Sequence, residues 1–185
     1  TSRRNLLAEG IDTSRIHVTG NTVIDALLHV AEHATADRLP PVLRTASKHR
    51  KLILVTLHRR ESFGAPLEGI CEALGQLVAR NPDVELFYPV HPNPQVRRTV
   101  YDRLGCLDRV HLAEPLGYVE FVAVMCAAYF IITDSGGVQE EAPSLQKPVL
   151  VLRDATERPE VVEVGAARLV GRRPADVLAT ATELL

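Results

Sequence analysis

Apolar positions along the chain switch repeatedly between two spacings. Short runs rich in β-branched residues, "KLILVTLH" (51–58), "VELFYPVH" (84–91), "YFIITD" (129–134) and "PVLVL" (148–152), predict strands. The first is almost continuously apolar, the mark of a strand covered on both faces. Between them the apolar residues fall three and four apart. "PLEGICEALGQLVARN" (66–81) sets Leu67, Ile70, Leu74, Leu77 and Val78 on one helical face. "NPQVRRTVYDRLG" (93–105) has Pro94 in its first turn and Gly105 at its end, the orientation a helix prefers. The same reading predicts helices over 118–128 and 137–145, short strands over 109–112 and 167–171, a turn over 159–165 and a last helix from Pro174. Upstream, "RIHVTG" (15–20) reads as a strand and "NTVIDALLHVAEHA" (21–34) as a helix. Asn21 or Thr22 would cap that helix, and Val23, Ala26, Leu27 and Val30 would form its buried stripe. Residues 36–49, with Pro40-Pro41 and many polar residues, read as a connecting loop with one helical turn.

Strands separated by helices at this spacing give βαβ units, hence an α/β fold with a Rossmann-like, mostly parallel sheet and helices on both faces. Composition agrees: 185 residues, 46% hydrophobic and 24% charged, describe one soluble globular domain. No apolar run approaches the roughly 18 residues that span a bilayer. A net charge of −2 gives no electrostatic reason to expect nucleic acid. Cys71, Cys106 and Cys126 are scattered, which argues against a disulfide framework or a zinc site and favours a reducing, cytoplasmic setting. The start lacks a secretory pattern and an initiator Met, and the last helix has no stop signal, so both ends are expected to be cut.

Ligands of open parallel sheets bind at the carboxyl ends of the strands, which singles out three places. "HRRESFG" (58–64) offers cations and a histidine suited to a phosphate or a leaving oxygen; its bland reading is a solvated charged loop. In "YPVHPNP" (88–94), His91 stands in a proline-stiffened loop, where a lone histidine is more often structural. In "TDSGGVQEE" (133–141), Ser135, Gly136 and Gly137 open a helix with backbone bare of bulky side chains. That makes an anion site, most naturally for a diphosphate, with a glutamate one turn on for ribose hydroxyls. The alternative is a helix capped by Asp134 or Ser135, with the glutamates suiting its dipole, although that leaves the paired glycines unexplained. Arg158, at a further strand end, suits either a phosphate or a neighbouring glutamate. There is no P-loop, GxGxxG, GxSxG or HExxH motif, and no carboxylate pair spaced for a metal.

Taken in order, "VTGNTVIDAL" (18–27), "HRRESFG" (58–64), "YPVHPNP" (88–94), "TDSGGVQEEAPSLQKPVLVLRDATERPE" (133–160) and "GAARLVG" (165–171) resemble the bacterial non-hydrolysing UDP-N-acetylglucosamine 2-epimerases nearly end to end. The resemblance implies the C-terminal domain of a GT-B-type two-domain fold, with 1–20 closing the N-terminal half and 21–185 forming the UDP-binding domain. It implies interconversion of UDP-GlcNAc and UDP-ManNAc by elimination of UDP to 2-acetamidoglucal and re-addition, with no metal or nicotinamide. The ligands would be UDP and UDP-N-acetylhexosamine, with no nucleic-acid or membrane partner, in a cytoplasmic homodimer serving envelope polysaccharide synthesis. By the same resemblance His58 is the catalytic histidine at the diphosphate, Ser135, Gly136 and Gly137 cradle the phosphates, and Glu141 holds the ribose. Arg158 would stand near the diphosphate and Phe121 beside the uracil. Arg59 and His91 resemble residues that bind a second, activating UDP-GlcNAc in some members. Leu116 and Leu57 depart from the family pattern, at the base and before His58. The acids that handle the C2 proton belong to the half this chain lacks, so the fragment alone is expected to be inactive. A UDP-sugar glycosyltransferase of the same fold and a non-catalytic nucleotide-sugar module are the alternatives.

Overall fold

A computed structural model describes residues 2–44 and 50–185. Six strands, β1 (Lys51–Thr56), β2 (Val84–Pro89), β3 (Val110–Ala113), β4 (Phe130–Thr133), β5 (Val149–Val151) and β6 (Ala167–Leu169), form one sheet in the order β3-β2-β1-β4-β5-β6. Every pairing in it is parallel. The helices are α1 (Ser2–Ala8), α2 (Thr22–Glu32), α3 (Pro41–Arg44), α4 (Ala65–Arg80), α5 (Pro94–Leu104), α6 (Tyr118–Ala127), α7 (Gly136–Ser144), α8 (Pro159–Glu163) and α9 (Pro174–Glu183). Among the described residues no helix is long and apolar enough to cross a membrane.

The period-2 alternation of each strand feeds two cores. Ile53, Val55, Leu86, Tyr88, Phe130, Ile132 and Leu150 face one side of the sheet, where α4, α5 and α9 pack. Leu54, Phe87, Ile131, Val149 and Val151 face the other, against α2, α6 and α7. Both faces are therefore dry, as unbroken apolar strands require. All five expected apolar residues of α4 are buried. At the far end of the sheet Arg109 takes a left-handed backbone conformation (φ 64°). Its guanidinium donates to the carbonyls of Val78, Asn81 and Val84, which satisfies the C-terminal end of α4.

Three expectations are corrected. Residues 15–20 form no strand: a 3-10 turn (Thr13–Arg15) leads into unpaired chain with Val18 75% exposed. A strand needs a ladder partner, and the sheet draws all six of its strands from 51–169. On α2 the buried stripe is Leu27 with partly buried Ile24, Val30 and Ala31, while Val23 is exposed, so the packing face is turned by about one residue. The expected turn over 159–165 contains the short helix α8, opened by Pro159. Asn21 is the cap of α2, its side-chain oxygen accepting the Val23 N–H at 3.1 Å. The loop over 36–49 contains α3, and its residues 45–49 lie outside the described residues.

Candidate active site

The strand order reverses between β1 and β4. From β1 the chain moves outward to β2 and β3, and from β4 outward the opposite way to β5 and β6. The connections leaving β1 and β4 enter α4 and α7, which lie on opposite faces of the sheet, so a crevice opens between them. Thr56 and Thr133 are register partners at this point, with their hydroxyls 2.7 Å apart.

Just past them, the Asp134 carboxylate is fully buried and ties the two loops together. It accepts the His58 N–H (3.0 and 3.1 Å to its two oxygens) and the Arg59 N–H (2.9 Å). Nδ1 of His58 lies 3.0 Å from Asp134 Oδ1. A buried carboxylate offers only acceptors, so Nδ1 must carry a proton and Nε2 is the nitrogen left for a ligand. Asp134 does not cap α7, as one reading of the sequence had it; its side chain points back to the β1 loop.

His58 stacks on His91, ring centroids 5.9 Å apart and planes inclined by 24°. Both line a cavity of about 490 Å³ together with Thr56, Leu57, Pro89, Pro92, Pro115, Leu116, Tyr118, Phe121, Ser135, Gly137, Val138 and Glu141. Its floor is the start of α7. Ser135 makes no side-chain cap, and the backbone N–H of Ser135 is taken by Thr133 Oγ1 (2.9 Å). Among the described residues the first-turn N–H groups of Gly136, Gly137 and Val138 are thus left without an acceptor, with the positive end of the helix dipole behind them. Neither glycine has a positive φ, and a Cβ on either would meet its nearest protein atom at 3.7–3.9 Å, ordinary contact. No protein atom close to these positions demands glycine there.

Glu140 and Glu141 divide their work by facing apart. Glu140 accepts Nε of Arg158 and Nδ2 of Asn21, joining α7 to the starts of α8 and α2. Behind it Gln139, fully buried, donates to Ser135 O (3.0 Å) and accepts the Thr156 hydroxyl, whose oxygen in turn accepts the Arg158 N–H (3.0 Å). Glu141 has no hydrogen-bond or ion-pair partner among the described residues and looks into the cavity. Burial, and secondarily the charge of Glu140, push its carboxyl above the usual range.

Donors for an anion, an apolar ring wall and a free carboxylate on one crevice describe a nucleotide-phosphate site. The sequence model of the UDP-N-acetylglucosamine 2-epimerase family matches residues 1–185. The chain belongs to that family. It is 51% identical over 189 residues to a probable UDP-N-acetylglucosamine 2-epimerase of Ralstonia nicotianae, covering all of this chain and 50% of that protein. It is 50% identical over 190 residues to the UDP-N-acetylglucosamine 2-epimerase of Escherichia coli K12, again covering all of this chain and 50% of the relative. The crystal structure of the Neisseria meningitidis UDP-GlcNAc 2-epimerase bound to UDP-GlcNAc superimposes with a TM-score of 0.92 at 41% identity, over 98% of this chain and 50% of that one. This chain therefore spans about half the length of these epimerases. With the sheet order, that makes it a Rossmann-like domain of the GT-B-type fold.

Of the epimerase residues singled out from sequence, His58, His91, Phe121, Ser135, Gly137 and Glu141 share the cavity. Gly136 is buried beneath it, with the Arg59 guanidinium and Glu157 nearby. Arg158 does not line the cavity; its guanidinium is held by Glu140. Sequence reasoning missed two residues. Asp134 was legible only as a helix cap, and Tyr118 lacked a motif to mark it. A polar residue closing an apolar strand was the available signal for Asp134.

Proposed function

We propose that this chain is the UDP-binding, C-terminal half of a non-hydrolysing epimerase that interconverts UDP-GlcNAc and UDP-ManNAc. Residues 21–185 form the nucleotide domain and 1–20 complete the other half, in keeping with a segment that buries no residue of α1 and pairs with no strand. The observation that carries the reading is the uncapped start of α7 meeting His58 and Glu141 on one cavity at the switch point. The N–H groups of Gly136, Gly137 and Val138 hold the diphosphate, Glu141 accepts the ribose hydroxyls, and Phe121 with Leu116 flanks the uracil. His58 faces the bridging oxygen, where a donor stabilises the charge that develops as UDP leaves and 2-acetamidoglucal forms. Arg158 acts through Glu140, by fixing α7, and so stands near the diphosphate without touching it.

The acids that move the C2 proton come from the other half, across the crevice. Arg59 and His91 flank His58, and a second nucleotide-sugar seated between them and that half would act as an activator. The protein works in the cytoplasm as a homodimer.

Titration calorimetry of the 185-residue chain with UDP tests the reading. UDP should bind, and the same chain should leave UDP-GlcNAc unconverted. Failure of UDP to bind would sink the assignment, and epimerisation by the chain alone would sink the requirement for a second half.

A further inference from the structure

The C-terminal end of α2 carries the stretch "HVAEH" (29–33), in which His29, Glu32 and His33 stand at positions i, i+3 and i+4. That spacing brings all three side chains to one side of the helix end. One candidate ligand atom from each lies within 4.8 Å of the other two. The imidazole rings are 5.2 Å apart between centroids, with planes inclined by 52°. Neither Glu32 nor the His29 ring has a hydrogen-bond or ion-pair partner among the described residues.

His33 is oriented in advance. The last turn of α2 tightens, so the His33 backbone N–H goes to the Val30 carbonyl at 3.1 Å. The His33 ring takes the His29 carbonyl instead, with Nδ1 2.9 Å from that oxygen. A carbonyl only accepts, so Nδ1 carries the proton and, in the neutral ring, Nε2 carries the lone pair. Metal-binding histidines are held in this way, their second ring nitrogen donating to a carbonyl or carboxylate. Alone, the bond would be an ordinary helix ending. Beside a second imidazole and an unpaired carboxylate it completes a set of three donors. The negative end of the α2 dipole adds to the attraction for a cation.

We propose that His29, Glu32 and His33 form a surface site for a divalent transition metal ion of the zinc type. Two imidazoles and one carboxylate suit zinc, whereas magnesium and calcium call for oxygen ligands throughout. Three protein ligands leave a fourth position to water. The two histidines, with Val30, Arg38 and Val119, line a cavity of about 200 Å³ where α2 meets the start of α6. Arg38 is the opposing charge in that cavity, and the Asp37 carboxylate lies 3.8 Å from its Nε. On α6, Val119 faces this cavity while Tyr118 and Phe121 line the nucleotide cavity, so the two places are separate. All three ligands are exposed, so the site lacks the dry pocket that metal-activated water requires. It binds the ion and staples the end of α2 rather than performing hydrolysis. No cysteine takes part, and the inference does not depend on the UDP reading.

Calorimetry of the 185-residue chain with zinc chloride tests the site, in a Cys106→Ser background that removes the exposed thiol as a competing ligand. His29→Gln and His33→Gln should each weaken zinc binding at least about tenfold, since even the loss of a supporting group costs about that much. Excess magnesium chloride should leave zinc binding unchanged. Zinc should also raise the melting temperature of the parent but not of the two histidine variants. The replaced side chains are exposed, so both variants should fold, which melting without zinc verifies. Equal zinc affinity, or an equal melting shift, in parent and variants would place the ion elsewhere, the stacked His58 and His91 included, and overturns the inference. Absence of zinc binding, or its displacement by magnesium, overturns it too.

Discussion

Asp134 Oδ1 lies 3.0 Å from Nδ1 of His58, across a gap of 76 positions in the chain. The contact exists because β1 and β4 are neighbours in the sheet and both end at the same level. Asp134 also holds the His58 and Arg59 N–H groups, so Asp134→Ala orphans two part-buried backbone donors at once. The expected loss of stability is about 1–3 kcal/mol, read by urea denaturation. A loss within about 0.5 kcal/mol would show that β1 alone holds this loop.

The glycines of α7 separate folding from binding. Gly137→Ala meets no close atom and no left-handed backbone, so the fold should be unharmed or stabilised by about 0.4–1 kcal/mol. UDP affinity should fall at least about tenfold, near 1.4 kcal/mol, because the added methyl stands where the phosphate approaches. Unchanged affinity would mean that the phosphate does not reach this turn.

Glu141 trades stability for binding. Its carboxyl is raised by burial and by Glu140, so the folded chain holds that proton to higher pH than the unfolded chain does. The cost is absent below the ordinary value of 4.5 and grows as pH rises through the raised one. Glu141→Gln should therefore melt higher than the parent at pH 7, with the difference closing as the pH is lowered. UDP affinity of Glu141→Ala should drop by about 1–3 kcal/mol if the carboxylate holds the ribose. A variant that melts no higher, or binds UDP as before, refutes the respective half of this argument.

Arg158 and Glu140 should behave as a unit. Each single replacement by alanine should cost about 1 kcal/mol of stability or less, given their partial exposure. The double variant should cost less than the sum of the singles. UDP affinity should follow the integrity of the pair. If Arg158→Ala still weakens UDP in a Glu140→Ala background, Arg158 contacts the phosphate itself.

The cysteines differ in reach and reactivity. Burial pushes the Cys71 thiol up to about 12, whereas Cys106 is exposed. At pH 8 a thiol-specific reagent should modify Cys106 first, with Cys71 reacting only as the chain unfolds. Mass spectrometry of peptides from a time course checks the order.

The sequence by itself determined the layered α/β architecture. Unbroken apolar runs separated by helical stripes admit little else, and both cores formed where the alternation placed them. It also marked the loops after β1, β2 and β4 as the place for chemistry, because strand ends are a local property of the pattern. Tertiary structure decided the rest. "RIHVTG" has the composition of a strand, but pairing needs a neighbour and the described sheet offers none. Glu140 and Glu141 are adjacent and chemically alike; helical geometry and the position of α8 turned one to Arg158 and left the other to the cavity. Asp134 reads as a cap from its local context. Only the side-by-side placement of β1 and β4 brings it to His58, since a contact between residues so far apart in the chain leaves no trace in local periodicity.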